Sequence, residues 1–80
     1  MPNYTRRAEK DIAELPAPMQ EKARALADRL DSEPALGKKL VGKLAGKRSA
    51  RLGRSHRLIY LVDGSEVTVL TVSARKDAYR

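Results

Sequence analysis

At 80 residues the chain has room for one small domain, residues 1–80, because a polypeptide of this length buries only roughly 60 to 65% of its unfolded surface and cannot fill two cores. It has no cysteine and a single histidine, which excludes a disulfide framework and a thiolate or multi-histidine metal site, so neither a metal nor a cofactor is expected. No stretch approaches the roughly 18 apolar residues of a membrane span, which predicts a soluble protein without an address label, suited to a reducing cytoplasm, while a net charge of +7 calls for a polyanionic partner.

A short extended start at residues 1–4 precedes Thr5, placed as an N-cap, after which Ala8, Ile12 and Leu15 recur at helical spacing until Pro16 and Pro18 stop the pattern. From Ala17 to Leu30, Met19, Ala23, Leu26, Ala27 and Leu30 mark one face of a second helix, and Asp31-Ser32-Glu33-Pro34 closes it. The two form a helical hairpin. Glu9, Asp11, Glu14 and Glu21 are assigned to its solvated faces. The Gly- and Lys-rich connector from Leu36 to Gly46 is read as one further helical turn or an anchored loop built on Leu40, Val41 and Leu44.

The last third reads as antiparallel strands at Ser49 to Leu52, Arg57 to Val62 and Glu66 to Ser73. In the last strand Val67, Val69 and Thr71 alternate against Thr68, Leu70 and Val72. Gly64, between Asp63 and Ser65, supplies the positive φ that a tight hairpin needs. A sheet of three or four strands has to bury one face, and the helical hairpin is the only apolar cover available. The expected fold is therefore α+β: a short N-terminal strand, a two-helix hairpin, then an antiparallel β-meander.

The charge is unevenly spread. Residues 1–37 carry six bases and seven acids, whereas residues 38–80 carry eleven bases and three acids. Residues 38–57 hold eight cations, His56 and no acid. Were the partner RNA, cleavage without a metal would need a base for the 2′-hydroxyl, an acid for the leaving 5′-oxygen, and cations for the phosphorane. Lysines and arginines supply the last. The acid and base candidates are His56, Tyr60, Tyr79 and a lysine whose pKa is lowered by neighbouring cations. Tyr79 lies four residues after Arg75 and beside Arg80, where positive charge favours the phenolate; on the residues alone, a terminal aromatic that packs on the sheet or solvates is the plainer reading. Arg57 shares a strand face with Ile59 and Leu61, either at the rim of a concave surface or solvating a strand end. Tyr60 falls on the opposite face, in the core, and His56 has no carboxylate to orient it. Lys38, Lys39 and Lys43 read as a solvated, phosphate-attracting surface, and Lys43, Lys47, Arg48 and Arg54 are the expected RNA contacts. Paired carboxylates, a Gly-rich phosphate loop and a stacking aromatic series are all missing from the sequence.

The run from Lys39 to Gly46, then Ser49-Ala50-Arg51-Leu52-Gly53, His56-Arg57-Leu58-Ile59-Tyr60, the strand Val67 to Val72 and the ending Ala74 to Arg80 resembles, in order and spacing, the RelE/ParE superfamily of bacterial type II toxins. The helix carrying Arg6-Arg7-Ala8-Glu9-Lys10-Asp11-Ile12 and the Leu15-Pro16 step is similar as well. The resemblance implies a microbial-ribonuclease-like fold and a cognate antitoxin that covers the basic face. In the RelE branch it implies cleavage of mRNA in the ribosomal A site, with mRNA and ribosomal RNA as further partners. It also implies that Arg57 contacts the scissile phosphate, that Arg75 stabilises charge there, and that Tyr79 acts as acid or base. Arg51 stands near the place of a catalytic lysine, with Arg54 as its rival. His56 replaces a usual tyrosine and Ala74 a frequent histidine, and the glutamate base and C-terminal histidine of YoeB relatives are missing. An endoribonuclease relying on lysine, arginine and tyrosine is thus the leading expectation; a ParE-like inhibitor of DNA gyrase is the alternative.

Overall fold

The structure is a computed structural model that describes residues 2–40, 42 and 46–74. Strand β1 (Asn3–Tyr4) leads into helix α1 (Arg6–Ala13), and helix α2 (Ala17–Ser32) is followed by a 3₁₀ turn at Pro34–Leu36. Strands β2 (Lys38–Lys39), β3 (Lys47–Leu52), β4 (His56–Asp63) and β5 (Glu66–Ala74) then complete one five-stranded sheet in the order β1-β5-β4-β3-β2. Strand β1 runs parallel to β5, and the other neighbours are antiparallel. The expected α+β order holds. The connector differs from its reading as a helical turn or loop, for its first part is the 3₁₀ turn and the edge strand β2; Val41, Lys43 and Leu44 lie outside the described residues.

Thr5 caps α1 as expected, its Oγ1 accepting from the Ala8 N–H at 3.0 Å. Eight residues are too few for a helix to persist alone in water, so α1 depends on burying Ala8 and Ile12 against the sheet. A fully buried isoleucine contributes about 1.5–3 kcal/mol. Helix α2 buries Ala23, Ala27 and Leu30 and brings Met19 and Leu26 to the edge of the same core. Small residues at positions 23 and 27 let the helix lie close to the strands. Arg24 joins three elements, pairing with Glu9 of α1 at 2.7 Å and standing 4.5 Å over the ring of Tyr4 in β1. No helix among the described residues is long and apolar enough to cross a membrane.

The strands turn Ala50, Leu52, Leu58, Tyr60, Val67, Val69 and Val72 toward the helices. Simple alternation along β5 would have grouped Thr71, not Val72, with Val67 and Val69. A bulge changes the phase: Ile59 pairs with Thr71 but Tyr60 pairs with Val69, so Leu70 is the extra residue and Val72 returns to the core. Asp11 also departs from its assignment to a solvated helix face. Its Oδ2 accepts from the Thr71 hydroxyl at 2.6 Å and the Val72 N–H at 3.1 Å, just past the bulge. Gly64 takes φ +63° in the β4–β5 turn, as expected there.

Candidate functional site

The second face of the sheet is set by the same alternation. Core-facing Ala50 and Leu52 leave Ser49 and Arg51 pointing away from the helices, and core-facing Leu58 and Tyr60 do the same for Arg57, Ile59 and Leu61. The β3–β4 register then puts Arg51 directly opposite Arg57. Directly opposed residues of an antiparallel pair lie about 4.5–5.5 Å apart at Cα, and like charges so placed destabilise the sheet. Arg57 Nη1 reaches the Ser49 hydroxyl at 3.5 Å, and Ser49 is itself almost wholly buried. On the other side of β4, Ser73 is the register partner of Arg57.

A cleft of about 370 Å³ opens beside this pair, bounded by Leu26 and Arg29 of α2, Leu36 and Lys38 of the connector, and Arg51 and Arg57. Four cations line it and no carboxylate does. Arg29 is engaged with Glu33 at 3.1 Å. The connector that forms one wall is fixed by Tyr60, whose hydroxyl accepts from the Gly37 N–H at 2.8 Å and donates to the Pro34 carbonyl at 2.7 Å. Burial pushes the Tyr60 phenol above its ordinary pKa, an effect the Gly37 bond and the Arg48 charge partly oppose. Gly37 has no side chain for a steric reason: a Cβ would collide with the Tyr60 hydroxyl and stand 2.9 Å from the Ser49 carbonyl. Arg48 donates to the Gly37 carbonyl at 2.9 Å.

Of the residues singled out in the sequence, Arg51 and Arg57 are therefore brought together. Arg54 is exposed in the turn between their strands, and half-buried Lys47 belongs to the opposite end of β3. Arg48 faces the core side and braces the connector. Lys43, Arg75 and Tyr79 lie outside the described residues. Tyr60 belongs to the core, and His56, its Nδ1 2.7 Å from the Ser55 hydroxyl, alternates to the face opposite Arg57. Among the described residues, neither His56 nor Tyr60 shares the Arg57 face, while Lys38 lines the same cleft. An arginine cannot fill the gap, since it stays protonated at any physiological pH. Among the described residues no cluster able to hold a metal ion is present. Sequence reasoning missed Ser49 as a partner of Arg57, and missed Arg29 and Leu26 as cleft residues. Ser49 was open to detection, being two residues before Arg51 on the same face; the α2 residues had no local signal.

This sheet, its helical cover on one side and the arginine pair on the other define the class of protein: a toxin of a type II toxin-antitoxin system, in the RelE/ParE superfamily. The model of the ParE toxin of the type II toxin-antitoxin system parDE matches residues 3–79, and the chain belongs to that family. Among solved structures, the chain is similar to one in the toxin-antitoxin complex RelBE2 from Mycobacterium tuberculosis, with 35% identity and a TM-score of 0.82 over 91% of this chain and 94% of that one. It is also similar to the YoeB/ParE toxin from Agrobacterium tumefaciens, with 27% identity and a TM-score of 0.81 over 94% and 99% of the two chains. A chain of the YoeB-YefM complex from Staphylococcus aureus follows, at 25% identity and a TM-score of 0.78 over 91% and 93%. No curated protein sequence matches the chain.

Proposed function

We propose that this toxin is a ribosome-dependent endoribonuclease that cuts mRNA in the A site by metal-independent attack of a 2′-hydroxyl, acting in the cytoplasm and held in check by a cognate antitoxin. The observation that carries the reading is the cross-strand pair Arg51 and Arg57, opening on a cleft lined by cations and no carboxylate. Two guanidinium groups opposed across a strand pair concentrate positive charge, and a phosphodiester fits a planar, forked donor best. In this mechanism Arg57 holds the scissile phosphate. Arg51 neutralises charge from the neighbouring strand, and Arg75 adds to it as the phosphorane forms. Tyr79 carries the proton transfer, and Lys43, Lys47 and Arg54 contribute docking charge toward RNA, whereas Arg48, expected among them, is turned to the core side and bound to the Gly37 carbonyl.

The family match over residues 3–79 favours a second reading, a ParE-like toxin that inhibits DNA gyrase without cutting RNA. Induction in a bacterium with mapping of mRNA 5′ ends separates the two. Codon-phased cleavage that disappears in Arg57→Ala and Tyr79→Phe supports the nuclease. Intact RNA together with falling gyrase-dependent supercoiling supports the second reading and ends the first.

A further inference from the structure

The cleft beside Arg51 and Arg57 has charge for a phosphate, and cleavage also needs a proton for the leaving oxygen. Strand β2 brings one. Its register pairs Lys38 with Ser49 and Lys39 with Arg48, and residues directly opposite in an antiparallel pair project to the same side of the sheet. Lys38 therefore shares a side with Ser49 and Arg57, away from the helices, and lines their cleft. Lys39 projects to the other side and lines a separate hollow with Arg48 and Val62. On the diagonal across β2 and β3, Arg51 stands about 7–8 Å from Lys38, within reach of a long side chain. The backbone just before Lys38 is held at both of its polar groups, the Gly37 N–H donating to the Tyr60 hydroxyl at 2.8 Å and the Gly37 carbonyl accepting from Arg48 at 2.9 Å. A lysine that only attracts RNA tolerates many geometries. This one stands on a fixed base.

We propose that Lys38 is the general acid of the cleavage reaction, giving an Nζ proton to the leaving 5′-oxygen; the assignment rests on the ribonuclease reading. Of the charged side chains among the described residues lining the cleft, Arg29, Arg51 and Arg57 keep their protons at any physiological pH. Lys38 is the one with a proton to give. As the 2′-oxygen bonds to phosphorus, the bond from phosphorus to the 5′-oxygen breaks, and its electron pair stays on that oxygen, which takes the Lys38 proton. The proton of the 2′-hydroxyl passes to Tyr79, whose part in the transfer is then that of the base. The products are a 2′,3′-cyclic phosphate and a 5′-hydroxyl, and Lys38 regains its proton from water. Arg51 and Arg57 hold the phosphate through the step without exchanging protons.

The test uses the full-length toxin and bacterial ribosomes programmed with a short mRNA that carries, at the mapped cleavage bond, either the natural bridging 5′-oxygen or a sulfur in its place. A thiolate leaves without needing a proton, so the sulfur substrate bypasses the acid and nothing else. Lys38→Ala should slow single-turnover cleavage of the oxygen substrate about 100-fold or more and bring the sulfur substrate to within about tenfold of wild type. Lys38→Arg, which keeps the charge and cannot give up the proton, should show the same selective loss. Lys39→Ala, an equal loss of charge one residue on and across the sheet, should change both substrates alike and by less than about tenfold. Thermal melts of each variant confirm that it is folded. The proposal is overturned if Lys38→Ala slows both substrates equally, if it alters only KM, if Lys38→Arg retains the wild-type rate on the oxygen substrate, or if Lys39→Ala reproduces the selective loss. In each of these cases the wild-type toxin still cuts, and the ribonuclease reading stands. A wild-type toxin that cuts neither substrate ends that reading and this assignment together.

Discussion

Tyr60 shows how one hydroxyl can set the wall of a site. Its two bonds reach 26 and 23 residues back along the chain, to Pro34 and Gly37, and so hold the connector against the sheet. Alternation with Arg57 was enough to place Tyr60 in the core, but nothing local in the sequence names either partner. Tyr60→Phe should cost about 1–3 kcal/mol in urea unfolding at neutral pH, since the buried Gly37 N–H loses its acceptor. The pH dependence follows from burial, which raises the folded-state pKa above the unfolded one. The neutral phenol is the form the fold favours. Its contribution is complete below about pH 10 and is lost as pH rises through the higher folded value, so the wild-type protein should weaken there. Unfolding curves from pH 8 to 11 should show that Tyr60→Phe lacks this component. At the opposed arginines the sign is reversed. Arg51→Ala should leave the free toxin as stable or more stable by a few tenths of a kcal/mol while RNA or antitoxin affinity falls, because a like-charge pair is relieved. A clear loss of stability would make Arg51 structural.

At the scale of elements, β5 has an edge problem that side chains solve. Strand β1 pairs only with Thr68 and Val69, and Thr5 extends it through its N–H to the Val69 carbonyl and its hydroxyl to the Leu70 carbonyl, at 3.0 and 2.8 Å. Beyond that point Asp11 takes over at Thr71 and Val72. A carboxylate thus substitutes for a missing strand. Asp11→Ala should destabilise the fold by about 1–3 kcal/mol, with Asp11→Asn costing less because its amide oxygen still accepts. Equal losses in thermal melts would show that charge, not acceptance, matters. The helices and the three long strands were legible because hydrophobic period, proline stops and Gly64 all agree on them. Asp11 was not, since a polar residue on a helix reads the same whether it meets water or a strand edge. Strand β2 was equally hidden, as Lys38 and Lys39 carry no β signal and owe their pairing to Tyr60 and Gly37, whereas the short N-terminal strand was expected.

On the scale of the whole molecule, charge is arranged along the sheet. Asp63 pairs with Glu66 at the far end of the hairpin, six residues or about 20 Å along β4 from Arg57. The strand face away from the helices therefore runs from cationic to anionic. The excess of positive charge in residues 38–80 was plain in the sequence, but its focus on one cleft depends on the β3–β4 register and on α2. RNA binding should fall steeply with salt, each neutralised phosphate of a single strand contributing about −0.7 to the slope of log K against log salt. Arg51→Ala with Arg57→Ala should reduce that slope by about 1.4 if both contact phosphate. An unchanged slope in filter binding between 50 and 300 mM salt would remove them from the RNA interface.

The bulge at Leu70 behaves as a phase setter for the last strand. Each residue after it has its side reassigned by that one insertion, which brings Val72 under the helices and gives Arg57 a serine neighbour, Ser73, in place of a valine. A strand that kept Leu70 but lost the bulge would hold all the residues named here and still present them wrongly: valine against the arginine, serine in the core. For this fold, counting residues between motifs is thus as informative as matching them, because an added residue in β5 exchanges inside for outside unless a bulge takes it up.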